Sequence, residues 1–208
     1  MLEGSVTYLI VMFWGIWLLR GRRIEQRSVA VTTGSLLFAL YLSQLVAATL
    51  FPLPIEMSVI DRGRAMAAAG FGPGNNVVLF NTVRDFAESE AGFINQIVGN
   101  FLLLVPLGLM VPLLWQTFRS WQRAVLLVVF ATLAIEFSQL GISTLLGYTY
   151  RSFDVDDLWL NALGGTLAAV VASFVARRVT SESAEGTGDN GRDVTGSREN
   201  VPCRSALG

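Results

Sequence analysis

Charged residues divide this chain into five long apolar runs, at about Ser5 to Leu19, Ser28 to Phe51, Phe93 to Trp115, Ala124 to Leu145 and Leu158 to Ala176. Crossing ~30 Å of hydrocarbon takes about 20 such residues wound as helix. The first run is slightly short and carries Tyr8, Phe13, Trp14 and Trp17. An open strand edge cannot be satisfied in lipid, so all five runs are expected to be helices. With 52% hydrophobic and only 15% charged residues, the chain is too apolar for an ordinary soluble domain of its size. The expected fold class is all-α, a polytopic transmembrane helical bundle of about five spans.

Charge placement then orients the bundle, because short cytoplasmic loops collect Arg and Lys. "RGRRIEQR" at residues 20 to 27 carries four Arg, "QTFRSWQR" carries Arg119 and Arg123, and Arg177 and Arg178 follow the fifth run. These segments share one side if every run crosses, which puts the N-terminus outside and the C-terminus in the cytoplasm. The two opposite loops hold Arg62, Arg64, Arg84 and Arg151 among eight acidic residues. The N-terminus has no basic start ahead of its apolar run, so Val6 to Leu19 reads as a retained span and not as a cleaved leader. The implied organisation is two N-terminal helices over 1–51, an extracytoplasmic loop over 52–92 with a short helix around Arg62 to Ala69, a three-helix core over 93–176, and a disordered cytoplasmic tail over 177–208. The tail is rich in Ser, Gly and charge and has little apolar surface to bury.

Composition also removes chemistry. All fifteen basic residues are Arg and there is no His, which excludes a His base, a His metal ligand and a catalytic Lys. Cys203 is the single cysteine and has no internal disulfide partner. A net charge of −1 provides no general attraction for nucleic acid. "GFGPG" at 70 to 74 lacks the Lys and Ser/Thr of a phosphate-binding loop.

Within the apolar runs a few polar residues stand out: Asn100 in the third, Glu136 and Gln139 in the fourth, Asn161 in the fifth. At 1.5 Å per residue, Asn100 lies ~10 Å, Asn161 ~6 Å and Glu136 ~9 to 15 Å from the outer ends of their helices. All three therefore fall in the outer half of the bilayer. Glu136 and Gln139 are spaced to share a helix face. Asp154, Asp157 and Asn161 form a second polar stripe if a helix begins near Asp154, with Gly164 and Gly165 one turn deeper. Arg151 is the nearby counter-charge, and Asp156 points away from the stripe. A carboxylate facing lipid at mid-membrane costs about 2.5 to 3.5 kcal/mol on insertion scales, so Glu136 is expected to face its neighbours. Pro106 removes a backbone donor and is expected to kink the third helix near this cluster.

The segments "NNVVLFNTVRDF" (75 to 86), "NQIVGNFLLLVPLGLMVPLL" (95 to 114), "IEFSQL" (135 to 140) and "RSFDVDDLWLNALGGTLAA" (151 to 169) together resemble the VanZ-like family of bacterial membrane proteins. The ordered pattern is Asn100, Pro106-Leu107-Gly108, Glu136 and Gln139, then Arg151, Asp154, Asp157, Asn161 and Gly164. Family members often carry Pro-Phe in the first segment, where this chain has Leu79-Phe80. The resemblance implies a multi-pass protein of a bacterial cytoplasmic membrane, in a family whose founding member is linked to teicoplanin resistance; it brings no reaction and no cofactor with it.

Three functional classes follow from these residues. A binding module would use Asn100, Glu136, Gln139, Arg151, Asp154, Asp157 and Asn161 as ligand-binding residues for an amphiphile, either a lipid-linked envelope precursor or a glycopeptide. An intramembrane enzyme would use Glu136 as the catalytic general base, with Arg151 on an anionic head group and Glu136, Asp154 and Asp157 available to Mg²⁺ or Mn²⁺. A transporter has weaker support, since the chain has no internal repeat. The binding module is favoured, with the lipid bilayer as a partner and no nucleic acid.

Overall fold

The computed structural model describes residues 29–81, 84 and 93–189. The first expected span, the "RGRRIEQR" loop and the end of the tail beyond 189 lie outside the described residues. What is described is all-helical: α1 (Val29–Leu50), α2 (Met57–Ala68), a π-helical stretch (Phe93–Val98) running into α3 (Gly99–Leu103), α4 (Val105–Leu114), a single 3₁₀ turn (Gln116–Phe118), α5 (Trp121–Leu146) and α6 (Val155–Asp189). Among these, Val29–Leu50, Gln96–Leu114, Trp121–Leu146 and Val155–Val179 are long and apolar enough to cross a membrane. They coincide with the second to fifth runs of the sequence to within a few residues. The short loop helix also forms, beginning earlier than expected, at Met57.

Burial within the bundle is the inverse of a soluble protein's. Small and polar residues such as Ala39, Ser43, Thr132, Ala169 and Ser173 are buried between helices, while Leu126, Phe130, Phe137 and Val171 point outward. Lipid is as apolar as leucine, so large side chains gain nothing by hiding from it, and close packing selects small ones for the interior. The larger core residues, among them Phe38, Leu45, Leu104, Leu107, Val111 and Val128, cluster where α1, α4, α5 and α6 meet.

Two local features bring the site together. A Cβ on Gly164 would collide with the Phe101 carbonyl oxygen, so α3 and α6 touch backbone to backbone. In the third span, Pro106 supplies no amide hydrogen, and the helix is interrupted two residues before it, at Leu104. The Leu103 carbonyl at this break accepts a hydrogen bond from the Tyr41 hydroxyl of α1 at 2.8 Å. The expected kink is therefore present, and one of the carbonyls beside it is satisfied by another helix.

The two ends of the bundle differ in chemistry. At one end lie the Phe51–Asn81 segment and the turn from Gly147 to Asp154, joined through the Asn76–Asp154 bridge. At the other lie Arg119, Arg123, Arg177 and Arg178, where Arg177 Nε donates to the Arg119 carbonyl at 3.1 Å. One boundary differs from the expectation: a tail without structure from 177 was expected, but α6 continues to Asp189. Once a long helix is nucleated, each further residue adds one hydrogen bond, so leaving the hydrocarbon does not end it.

Candidate functional site

The α6 N-terminus organises the site. Asp154 precedes the first helical residue, and its Oδ1 accepts from the Asp156 amide at 2.8 Å, an N-terminal cap that binds a donor otherwise left open. The same Oδ1 accepts from Asn76 Nδ2 at 2.9 Å. The Asp154 amide in turn donates to Glu136 Oε2 of α5 at 3.3 Å. Glu136 is 1% exposed, so the carboxylate that stood out in the fourth apolar run faces its neighbours and not lipid. Its partner is a backbone N–H and not Arg151.

A cavity of about 300 Å³ opens beside this point. Its walls hold Asn100, Glu136, Gln139, Arg151, Asp157 and Asn161, six of the seven residues expected to bind a ligand. Ala48, Leu103 and Ile135 give it an apolar side. Asp157 is fixed by two amides, Gln96 Nε2 at 2.8 Å and Asn100 Nδ2, both donating to Oδ1. Among the described residues nothing donates to its Oδ2 or to Glu136 Oε1. Asn161 is 1% exposed, and its Oδ1 is buried without a partner among the described residues. Gln139 reaches across to α1, donating from Nε2 to the Thr49 carbonyl at 3.0 Å. Arg151 donates from Nη2 to the Phe51 carbonyl at 2.6 Å, with its guanidinium 5.9 Å from the Tyr150 ring centroid.

Three expectations need correction. Among the described residues Arg151 forms no ion pair with a carboxylate, because its turn is held to Ser143 by the Tyr150 and Arg151 amides and its guanidinium is drawn to Phe51. Asp154 does not line the cavity; capping and Asn76 turn its carboxylate toward the 75–80 segment. Among the described residues no group of three or more acidic, His or Cys side chains is arranged to hold a metal ion, so the Glu136, Asp154 and Asp157 set does not converge on one.

Asp156 is wholly buried, and its Oδ1 accepts from the Phe80 amide at 2.6 Å and from Trp159 Nε1 at 3.2 Å. It anchors the preceding loop. Four residues escaped the sequence reading. Gln96 shares i,i+4 spacing with Asn100, a pattern that was open to inspection. Ser143 lies two turns from Glu136 on the same helix, again a visible period. Thr49 and Asn76 have no local signal, since they are brought in from other segments.

Apolar helices of membrane length, packed around small residues with a polar cavity at one end, define an integral membrane protein of the helical-bundle class. Residues 38–176 match the VanZ/LLP1 family, and the chain belongs to it. No curated protein and no solved structure matches the chain.

Proposed function

We propose that this VanZ-like protein sits in a bacterial cytoplasmic membrane and uses the cavity to bind an amphiphilic envelope component or a lipoglycopeptide-type antibiotic, contributing to teicoplanin-type resistance. The observation carrying this reading is the convergence of six polar side chains from three spans and a loop on one cavity, at the end of the bundle opposite Arg119, Arg123, Arg177 and Arg178. Arginine-rich ends face the cytoplasm, so the cavity lies toward the extracytoplasmic surface. At about 300 Å³ it is at the lower limit for small-molecule sites and admits a head group or sugar, with the apolar part of the ligand left along the bilayer.

A second reading has one observation in its favour. Glu136 has one oxygen held by a backbone amide and the other without a hydrogen bond on the cavity, the arrangement of a positioned general base. Lipid and envelope-precursor mass spectrometry of cells carrying wild type, Glu136→Gln or no protein tests both. An enzyme predicts a modified head group that disappears in Glu136→Gln. A binder predicts no new species, and altered susceptibility to teicoplanin-type drugs that Glu136→Gln largely retains. Unchanged susceptibility on both deletion and overexpression would remove the resistance role.

A further inference from the structure

Among the described residues, opposite charges line the cavity without pairing with one another, and this specifies a ligand. Among the described residues, Glu136 and Asp157 each bring an oxygen without a hydrogen bond, and the buried Asn161 Oδ1 adds an acceptor with no partner. Two carboxylates in a low-dielectric wall call for hydrogen-bond donors, and best for donors that also carry positive charge. Arg151 lines the same cavity but pairs with neither carboxylate; the Phe51 carbonyl takes Nη2, and Nε and Nη1 remain as donors. One side of the cavity is thus short of donors, and another holds a cation with no carboxylate partner among the described residues.

Resting on the reading that this cavity binds an amphiphile, we propose that its ligand is a lipid whose head group joins a primary ammonium to a phosphate diester, as in ethanolamine phosphate. The ammonium donates to Glu136, Asp157 and Asn161 Oδ1, and the phosphate accepts from Arg151. Other chemistries fit less well. A bare cation would share the space with the Arg151 charge, and a divalent ion wants six or more oxygens. A sugar's hydroxyls would donate to the carboxylates but would leave their charge uncompensated and give Arg151 no anion. A quaternary ammonium has no N–H and is recognised by aromatic faces, and none of the described lining residues is aromatic. The volume of about 300 Å³ takes the head group, and Ala48, Leu103 and Ile135 meet the start of its acyl chains.

The test is native mass spectrometry of the purified full-length protein, offered equal amounts of phosphatidylethanolamine, phosphatidylcholine and phosphatidylglycerol with matched chains. Soluble O-phosphoethanolamine, ethanolamine and inorganic phosphate serve as competitors. Wild type should retain phosphatidylethanolamine at least tenfold over the other two, and O-phosphoethanolamine should displace it where ethanolamine or phosphate alone does not. Asp157→Asn and Arg151→Gln should each erase the preference, with thermal unfolding confirming the fold; if either unfolds, the wild-type competition decides. Ala48→Trp, at an exposed position on the cavity wall, should close the site to every lipid. Retention that Ala48→Trp abolishes but that shows no head-group preference, or prefers phosphatidylglycerol, overturns this inference and leaves the binding reading standing. A phosphatidylethanolamine preference lost on adding Ca²⁺ or Mg²⁺, with Asp157-dependent metal binding, overturns it in favour of a cation site. Retention identical in wild type and Ala48→Trp overturns the binding reading as well. If O-phosphoethanolamine binds the lipid-free protein as strongly as the lipid does, the soluble compound and not the bilayer is the source of the ligand.

Discussion

Substituting Gly164 by Ala adds one methyl group at the contact that holds the site together. The new Cβ would collide with the Phe101 carbonyl oxygen and lie 2.8 Å from its carbon. Carbon atoms in contact prefer about 3.5–4.0 Å, and the nearer oxygen needs still more room, so α3 would have to retreat by more than about 1 Å. Overpacking of this kind costs about 1–3 kcal/mol. Against it stands the better helix propensity of Ala, worth about 1 kcal/mol. Gly141 separates the two effects, since it lies on the exposed side of α5 and a Cβ there meets nothing within 4 Å. Gly141→Ala should therefore show the propensity gain alone, and the gap between the two variants should equal the steric cost, about 1–3 kcal/mol. Thermal unfolding of the full chain in detergent measures that gap. Asn100 immediately precedes Phe101, so the retreat also draws its Nδ2 from Asp157 Oδ1, and lipid retention should fall with stability in Gly164→Ala only. A Gly164→Ala protein that melts at or above Gly141→Ala would refute backbone contact between α3 and α6.

Three further outcomes are expected. Tyr41→Phe removes the hydroxyl that satisfies the Leu103 carbonyl at the helix break and should cost about 0.5–1.5 kcal/mol in the same unfolding assay, while Tyr150→Phe, in the loop, serves as the comparison for a bond outside the spans. Asp156→Ala strips the acceptor from the Phe80 amide and from Trp159 Nε1, and should destabilise by about 1–3 kcal/mol and speed proteolysis within residues 75–80; unchanged cleavage would mean that this carboxylate does not hold the loop. With Cys203 changed to Ser, a membrane-impermeant thiol reagent added to intact cells should label a cysteine at Ile55 and spare one at Thr117; the reverse pattern would invert the bundle and place the cavity on the cytoplasmic side.

The spans were legible because membrane crossing imposes a length and a composition that a single sequence displays. Depth was legible for a related reason: a fixed rise per residue converts position into height, and the heights of Asn100, Glu136 and Asn161 agreed before any packing was known. Orientation around the bundle followed for Glu136, where only the inward face avoids lipid. Asp154 and Arg151 were harder. Both sit in a turn, where no helical period constrains direction, and their partners Asn76 and Phe51 are about 80 to 100 residues away in sequence. Their types suggested an ion pair in the site; their backbone surroundings turned one away and tied the other to a carbonyl.

By itself, then, the amino-acid order determined that this chain spans a membrane as helices, which end carries the arginines, and that a carboxylate and several amides lie at one depth, because hydrocarbon thickness and helical rise act on each segment alone. Only the tertiary structure decided that Gly164 seats α6 on the Phe101 carbonyl, that Gln96 and Asn100 clamp one oxygen of Asp157, and that Asn161 Oδ1 is left open, because these depend on how separate helices rotate and approach, and no local periodicity encodes that.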